Sequence, residues 1–311
     1  MESTKPGAPL DRRGLLLAFS AYLIWGAFPF YFTLLSAAGP FEIIGHRVVW
    51  TFVFCALAML IWGEWRHYRE VVADRRLLLG LTAAGVLVTI NWSIYVWGVL
   101  NDHVVDAALG YFINPLVTVG LAVVVLKERL RPTQTIAVGV GTLAVIVLAV
   151  GYGQIPWVAL SLAVSFGTYG LLKKKVGGRV SPLVGLTVET TVLAPLALTW
   201  LVWLQVSGGS NLTSHGPWLT IGLISSGVVT AIPLLLFAAA ASRIPLTMIG
   251  LIQYVTPTLQ FAFGVWLNHE AMPPSRWAGF ALVWVALVIL TVDSVRSSRG
   301  SLPVGEPEVM N

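Results

Sequence analysis

The chain has 311 residues, of which 57% are hydrophobic and 11% are charged, and its mean hydropathy is +0.82. A soluble domain carries about 25% charged residues, so there is too little charge here to cover a water-facing surface. Several apolar runs exceed the roughly 20 residues that cross a bilayer core, and they are too long and uniform for alternating barrel strands. The composition excludes a soluble fold and predicts an all-α membrane protein, because helices satisfy their own backbone groups in lipid.

Charge and cysteine content narrow the class further. The formal net charge is +5, the isoelectric point is near 9.5, and the single cysteine, Cys55, falls inside an apolar run. One cysteine cannot form an intrachain disulfide, and the scattered histidines show no metal-ligand spacing. The sequence therefore predicts neither a metal site nor a cofactor.

Ten apolar runs, numbered here as spans 1 to 10, are predicted to cross the membrane as helices. They cover about 14–35, 40–62, 77–100, 104–126, 132–150, 155–172, 182–206, 217–240, 244–267 and 274–292. The segments between them are short, so we expect one bundle without a soluble domain.

The distribution of basic residues predicts the orientation. Cytoplasmic loops of membrane proteins are enriched in Lys and Arg. With the N-terminus placed inside, 17 of the 19 basic residues fall on the inner side; Arg276 falls outside and Arg47 within a span. Both termini are therefore predicted to be cytoplasmic. The basic clusters are interpreted as topology signals, so the lipid bilayer is the expected partner and nucleic acid is not; contact with anionic lipid stays open.

An internal repeat relates spans 4 and 9. The segment "LGYFINPLVTVGLAVVVLKERLRP" at 109–132 aligns without a gap to "LIQYVTPTLQFAFGVWLNHEAMPP" at 251–274, by a shift of 142 residues. Pro115 then meets Pro257. The same shift pairs the prolines that open spans 2 and 7. The chain is therefore predicted to contain two related halves.

The two halves, 1–152 and 153–311, hold five predicted spans each. Because five is odd, the second half enters the membrane from the side opposite to the first, and the repeats are inverted. Inverted repeats are typical of secondary transporters, whose sites lie near the membrane midplane beside interrupted helices. The predicted fold is thus ten transmembrane helices in two inverted five-helix repeats.

Pro115 and Pro257 sit near the centres of their spans. Proline lacks an N–H, so each frees a backbone carbonyl about one turn earlier, on Tyr111 and on Gln253. Those carbonyls need partners in a medium without water. We expect a polar cavity between the halves to supply them and the kinks to let the helices flex; the alternative is that the prolines only shape packing.

Arg47 and Glu189 are the notable charged residues inside predicted spans, and the shift of 142 pairs them. Arg47 and Glu189 each lie seven residues into their spans, about 10 Å deep from opposite faces, so a direct salt bridge between them is not expected. Arg47 is expected to pair with Asp106 or Glu42. The functional hypothesis is that Arg47 binds an anionic group of the substrate or takes part in gating, while Glu189 carries a coupling proton. A structural ion pair or polar lock is the alternative.

Other polar and aromatic residues near mid-span complete the candidate site. The predicted substrate-binding residues are Arg47, Tyr111, Asn114, Gln253, Tyr254, Thr256, Asn91 and Trp92. The predicted coupling or gating residues are Glu189, His46, Asp106, Pro115 and Pro257. For each of them a purely structural role, as a helix-to-helix hydrogen bond or a packing contact, stays open.

Several short motifs taken together resemble the RarD-type permeases of the EamA group in the drug/metabolite transporter superfamily. The motifs are "AYLIWG" at 21–26, "HRVVW" at 46–50, "NWSIYVW" at 91–97, "LGYFINPL" at 109–116, "YGLLKKK" at 169–175, "ET" at 189–190, "IPLLLFAAAASR" at 232–243 and "QYVTPTLQF" at 253–261. The resemblance implies a bacterial inner-membrane carrier with ten helices and small metabolites or drugs as cargo. It also implies a link to chloramphenicol sensitivity. The glutamate that closes each EamA repeat corresponds to Glu128 and Glu270.

The leading functional prediction is a secondary carrier that works by alternating access and hydrolyses no nucleotide. Proton coupling or exchange is expected, and family analogy favours export. An enzyme is not expected, because an intramembrane enzyme would need clustered carboxylates or histidines at one interface. The alternative to a carrier is an intramembrane enzyme, a receptor or an assembly factor that acts on lipid-soluble molecules. The expected partners are a small-molecule substrate and the bilayer, and a homodimer stays open.

Overall fold

The computed structural model describes residues 11–127, 130–153, 155–176, 179–241, 243–244 and 246–300. Over those residues the chain forms thirteen α-helices and no strand. The helices are α1 (Arg12–Gly26), α2 (Phe28–Leu34), α3 (Gly39–Trp62), α4 (Trp65–Ala73), α5 (Arg75–Leu100), α6 (Val104–Leu126), α7 (Pro132–Tyr152), α8 (Trp157–Val176), α9 (Pro182–Val206), α10 (Pro217–Ala241), α11 (Leu246–Ile252), α12 (Val255–Ala262) and α13 (Pro274–Gly300). A π-helical segment, Phe263–Leu267, follows α12 directly.

Apolar helices occupy the predicted spans, which confirms an all-α membrane protein. In the described part of the chain, nine segments are long and apolar enough to cross a bilayer. They are Arg12–Leu34, Ser36–Trp62, Arg75–Leu100, Val104–Val125, Pro132–Gly151, Pro182–Val206, Pro217–Ala241, Met248–Leu267 and Pro274–Asp293. The apolar part of α8, Trp157–Lys173, is shorter and coincides with predicted span 6. The count of ten crossings and the inside position of both termini stay predictions.

Prolines and short polar side chains determine where several helices begin. Pro132, Pro182, Pro217 and Pro274 are each the first residue of a helix. Proline is favoured there because the first N–H groups of a helix have no intrahelical acceptor. At the start of α9 the Ser181 hydroxyl also accepts a hydrogen bond from the Val184 N–H at 3.3 Å. These signals fix the boundaries between spans.

The two mid-span prolines of the repeat act differently. Pro115 lies inside the continuous helix α6, whereas the helix of span 9 is interrupted between α11 and α12, just before Pro257. The Gln253 carbonyl accepts the Thr256 N–H at 3.3 Å, so the carbonyl freed by Pro257 finds a local donor. The expectation that it depends on a partner across a cavity is therefore wrong.

Helix α4 was not expected, because its residues were predicted to form a loop between spans 2 and 3. Trp65 and Tyr68 stack at 5.1 Å between ring centres, and Val71 is buried against the bundle. Arg66 and Glu70 form an ion pair on the opposite, solvent-exposed side. The helix is thus amphipathic, and one face covers the end of the bundle.

The helix contacts follow the predicted repeat. Helix α6 packs against α8 as α1 packs against α12, and α5 packs against α8 as α1 packs against α10. Helices α3 and α9, which are counterparts, pack against each other, as do α7 and α13. Exchanging each helix for its counterpart in the other half leaves this set of contacts unchanged, which is the pattern that two-fold related halves require.

Glycines allow the closest helix contacts. A Cβ on Gly227 in α10 would lie 2.2 Å from the carbonyl carbon of Trp50 in α3. A Cβ on Gly110 in α6 would lie 2.7 Å from the carbonyl oxygen of Ala159 in α8. Membrane helices gain van der Waals contact by close backbone approach at small residues. The contact between α3 and α10 positions the site described next.

Candidate functional site

Arg47 lies at the centre of the candidate site. It is on α3, only 3% exposed, and its Nε donates to the Thr230 hydroxyl of α10 at 2.9 Å. Its guanidinium carbon lies 4.1 Å from the ring centre of Trp92 and 5.3 Å from those of Phe28 and Phe32. Arginine is attracted to the faces of aromatic rings at such distances. The cation is therefore held by one hydroxyl and three aromatic rings.

The predicted pairing of Arg47 with Asp106 or Glu42 is wrong. Asp106 Oδ1 lies 2.7 Å from Arg276 Nη2, and Glu42 accepts the Asn211 N–H at 2.8 Å. Among the described residues, no carboxylate oxygen lies within 4 Å of the Arg47 guanidinium. The prediction failed because helix rotation and tilt direct Glu42 to the loop after α9 and Asp106 to Arg276 on α13.

Two buried polar groups of the candidate site, one of them on Arg47 itself, have unused hydrogen-bonding capacity. Within the described ranges, Arg47 Nη1 and the Tyr95 hydroxyl have no hydrogen-bond partner. Tyr95 packs against Phe32 at 6.1 Å and against Tyr111 at 5.8 Å between ring centres. A buried polar group without a partner costs about 1–3 kcal/mol, so this arrangement is suited to a polar ligand.

The structure brings four of the predicted residues into pairwise contact, Tyr111 with Asn91 and Trp92 with Arg47. The Tyr111 hydroxyl donates to Asn91 Oδ1 at 3.2 Å, and Asn91 Nδ2 donates to the Leu162 carbonyl at 3.0 Å. Trp92, next to Asn91, contacts Arg47. Sequence reasoning missed Tyr95, although it follows Asn91 by four residues and so shares its helix face.

Glu189 forms the second buried charged cluster. Its side chain is 1% exposed, and Oε1 lies 2.7 Å from Nζ of Lys173, which is 31% exposed. The Tyr169 hydroxyl donates to the other carboxylate oxygen at 3.4 Å. Sequence reasoning placed Lys173 in a cytoplasmic loop, but it lies on α8 and neutralises Glu189. The expected absence of an Arg47–Glu189 salt bridge agrees with these contacts.

The two clusters occupy equivalent positions in the predicted repeats. A shift of 142 places Glu189 at the position of Arg47, and a shift of 141 places Tyr169 at Phe28 and Lys173 at Phe32. Each in-span charge is therefore contacted by the same two positions of the preceding span. In the first half these positions are aromatic, and in the second half they supply a hydroxyl and an ammonium.

The remaining predicted residues of span 9 lie at its interruption and at its contact with span 1. Gln253 and Tyr254 are partly buried between α11 and α12. The Thr256 hydroxyl donates to the Tyr22 carbonyl at 2.7 Å, and buried Pro257 follows. Thr256 therefore makes a helix-to-helix hydrogen bond, which is the structural role left open for it.

Gln260, which was not predicted, stabilises the break in span 1. Its Nε2 donates to the Trp25 carbonyl at 3.1 Å. That carbonyl lacks its usual helical donor because Pro29 has no N–H. The break between α1 and α2 at Ala27 is the visible result. A conspicuous signal was present in the sequence, since Pro29 sits in an apolar run.

Asn114 and His46 each keep one unused polar atom. Asn114 Oδ1 is buried near Gly167, and no residue of the described chain bonds to it. His46 Nδ1 accepts from the Trp50 indole N–H at 3.3 Å within α3, whereas its Nε2 has no partner among the described residues. Both stay predictions as site residues.

A third charged cluster lies where spans 4 and 10 begin and in the segment before span 10, at the face predicted to be external. Glu270 Oε1 accepts the Val104 N–H at 2.6 Å, and Oε2 accepts the Val105 N–H at 3.1 Å, so the carboxylate caps the start of α6. Arg276 Nη2 lies 2.7 Å from Asp106 Oδ1 and 3.9 Å from Glu270 Oε2. These contacts join the first half of the chain to the second.

Burial raises the pKa of the Glu270 carboxyl to about 7, because desolvation disfavours its charged form. The hydrogen bonds from Val105 and Val104 lower the pKa and offset part of that effect, while nearby Asp106 and Asp102 raise it further. Its repeat counterpart, Glu128, lies outside the described residues. A cavity of about 430 Å³ adjoins the cluster, lined by residues that include Asp102, His103, Trp157, His269, Glu270 and Arg276.

The apolar helices, with charged groups buried at mid-span, define a multi-pass membrane protein. In the described ranges no group of three or more His, Cys, Asp or Glu residues could hold a metal ion. The chain belongs to the EamA-like transporter family, whose model matches residues 12–150 and again 155–292.

Similar proteins indicate which group within the family the chain belongs to. The chain is 50% identical to Protein RarD of Streptomyces exfoliatus, over 94% of this chain and 92% of that protein. It is 38% identical to Protein RarD of Escherichia coli, over 94% and 98%. An uncharacterized transporter of Vibrio cholerae is 40% identical, over 93% and 95%. The protein is thus a RarD-type membrane transporter of the drug/metabolite superfamily, in the bacterial inner membrane.

A solved crystal structure shares the fold. It superposes with a TM-score of 0.56 at 17% identity and covers 90% of this chain and 97% of that one. At this identity the likeness concerns the fold alone. The family and the relatives' names indicate a transporter rather than an enzyme.

Proposed function

We propose that the protein is a secondary transporter that exports a small metabolite or drug by alternating access around the Arg47 site. The observation that carries the proposal is a buried cation at the contact between the two halves. Arg47 belongs to the first half, and its hydrogen-bond partner Thr230 belongs to the second. A site that touches both halves changes its surroundings when one half moves against the other.

The energetic argument is that Arg47 is costly to keep. A charged side chain within a bilayer costs a few kcal/mol or more unless it is paired or faces a cavity, and such residues commonly mark substrate pathways. Arg47 has aromatic neighbours and one hydroxyl, but no anionic partner in the described part of the chain. If the residue served only to stabilise the fold, an apolar side chain of similar volume would do so without the free-energy cost of burying a charge.

The proposed machinery consists of two inverted five-helix repeats, residues 1–152 and 153–311. The matching helix contacts in the two halves support this division, and so does the family model, which fits the chain twice. The break in span 9 at Gln253 supplies a flexible point next to the midplane. In this proposal Pro257 and Pro115 adjust the helix bends that accompany opening and closing.

The Glu189–Lys173 pair is proposed as the gate of the second half. Its repeat position matches that of Arg47, and Lys173 is partly exposed at the end predicted to be cytoplasmic. A proton delivered to Glu189 would remove the carboxylate charge and break the ion pair. Proton coupling at Glu189 and gating by Asp106 are parts of the proposal that need separate tests.

The proposal is tested with purified protein in proteoliposomes, screened for uptake of metabolites and antibiotics with and without a pH gradient. We expect saturable uptake that Arg47→Ala reduces at least about tenfold without loss of folded protein. The matched control is Arg131→Ala, which removes a partly exposed arginine paired with Asp293 and should keep full activity. Full activity of Arg47→Ala would contradict the assignment of the site, and absence of any saturable flux would contradict transport.

A further inference from the structure

The two repeats treat their equivalent buried charges differently. Glu189 has a cation of its own, Lys173, at 2.7 Å. Arg47 has no anion within 4 Å in the described chain, and the position equivalent to Lys173 is occupied by Phe32. One half-site is therefore neutralised by the protein itself, whereas the other keeps a net positive charge that a ligand can neutralise.

The unused donors at Arg47 suit a pair of oxygen atoms. Arg47 Nη1 and the Tyr95 hydroxyl are both buried and lack partners among the described residues. Both side chains contact Phe32: the Arg47 guanidinium carbon lies 5.3 Å from the ring centre of Phe32, and the ring centre of Tyr95 lies 6.1 Å from it. A carboxylate accepts through two oxygens, and hydrogen bonds from arginine to a carboxylate are about twice as strong as neutral ones.

The walls of the site are aromatic rather than polar. Phe28, Phe32 and Trp92 face the guanidinium, and Tyr95 and Tyr111 extend the surface beyond it. Such rings bind a planar apolar group by stacking and edge contacts. Arg47 repels a cationic ligand, and a neutral amide leaves the guanidinium charge uncompensated.

We propose that the transported molecule is an aromatic monocarboxylate, or a compound of that chemistry, whose carboxylate binds Arg47 and Tyr95 while its ring lies against Trp92. A phosphate dianion fits less well, because the described residues around Arg47 supply a single cation. This inference rests on the proposed transport function and names the substrate class of the same site.

The test compares three indole compounds that differ mainly in charge: indole-3-acetate, indole-3-acetamide and tryptamine. Binding is measured by isothermal titration with the full-length protein in lipid nanodiscs. We expect indole-3-acetate to bind at least about tenfold more tightly than the other two. Arg47→Gln should abolish this preference, and Arg47→Lys should keep part of it.

Two further variants guard against a simple folding defect. Tyr95→Phe removes one donor without removing the ring and should reduce the preference for the carboxylate about threefold to tenfold. Arg131→Gln removes an arginine that pairs with Asp293, away from the proposed site and gates, and should leave the preference unchanged. Equal or tighter binding of the amide or amine, no binding of the three, or a preference that survives Arg47→Gln would overturn the inference.

Counterflow in proteoliposomes separates this inference from the proposed function. If tryptamine or the amide binds best and also shows saturable counterflow, the substrate class is wrong but transport stands. If indole-3-acetate binds with the expected preference and shows no counterflow, the chemistry of the site stands and the proposed transport function is wrong.

Discussion

Removing Lys173 should expose how strongly Glu189 depends on it. The pair is 2.7 Å apart, and the Glu189 side chain is 1% exposed, so Lys173→Met leaves a buried carboxylate without a counter-charge. Breaking a buried ion pair from one side costs about 3–5 kcal/mol. Lys173 is 31% exposed, and solvent screens part of the interaction, so we expect a loss of about 2–3 kcal/mol.

The assay is equilibrium unfolding in mixed micelles of detergent and SDS, applied as a double-mutant cycle. Adding Glu189→Gln to Lys173→Met should recover most of the lost stability, because no charge is then left buried. Arg131→Met is the matched control: its partner is Asp293, it is half exposed, and its loss should cost less than about 1 kcal/mol. The reasoning is refuted if the double variant is as unstable as the sum of its single variants.

Three further predictions concern other contacts, each measured by the same unfolding assay. The pKa of Glu270 is raised to about 7 in the fold, above about 4.3 in the unfolded chain, so its proton stabilises the fold. Stability should fall as the pH rises from about 4.3 through about 7, and Glu270→Gln should flatten this dependence; an unchanged slope would contradict it. Gly227→Ala should lower the free energy of unfolding by more than about 2 kcal/mol, because the added Cβ would meet the Trp50 backbone. The control is Gly250→Ala, whose Cβ would have no atom within 4 Å and which should be tolerated. Equal effects of the two changes would refute the contact. Gln260→Leu should lower the free energy of unfolding by about 1 kcal/mol, because it removes the side-chain donor to the Trp25 carbonyl. The control is Thr258→Val, which removes a hydroxyl that bonds the Tyr254 carbonyl one turn earlier and should have less effect. Equal effects of the two changes would count against this role of Gln260.

The order and position of the spans could be predicted from the sequence because length and apolarity decide whether a helix crosses a bilayer. A distortion near Pro257 could be predicted because proline removes a backbone donor, but the same reasoning applied equally to Pro115, which lies inside the continuous helix α6. Helix α4 could not be predicted, because its nine residues carry several charges and form a helix by covering the bundle end.

The contact partners of the buried charged residues could not be predicted from the sequence. Depth along a helix is set by residue number, but the neighbour of a side chain is set by helix rotation and tilt. Arg47 was therefore placed at a plausible depth but assigned the wrong partners, Asp106 and Glu42. Lys173 was missed because a lysine near a span end looks like a loop residue, although its long side chain reaches back to Glu189.

The central claim is that the Arg47 site opens alternately to the two sides of the membrane. The most direct measurement is labelling of a Thr230→Cys variant, with Cys55 replaced by alanine, using a membrane-impermeant thiol reagent on intact cells and on inverted membrane vesicles. The account predicts labelling from both sides and protection by a transported compound. Labelling from one side only, or from neither, would contradict alternating access at this site.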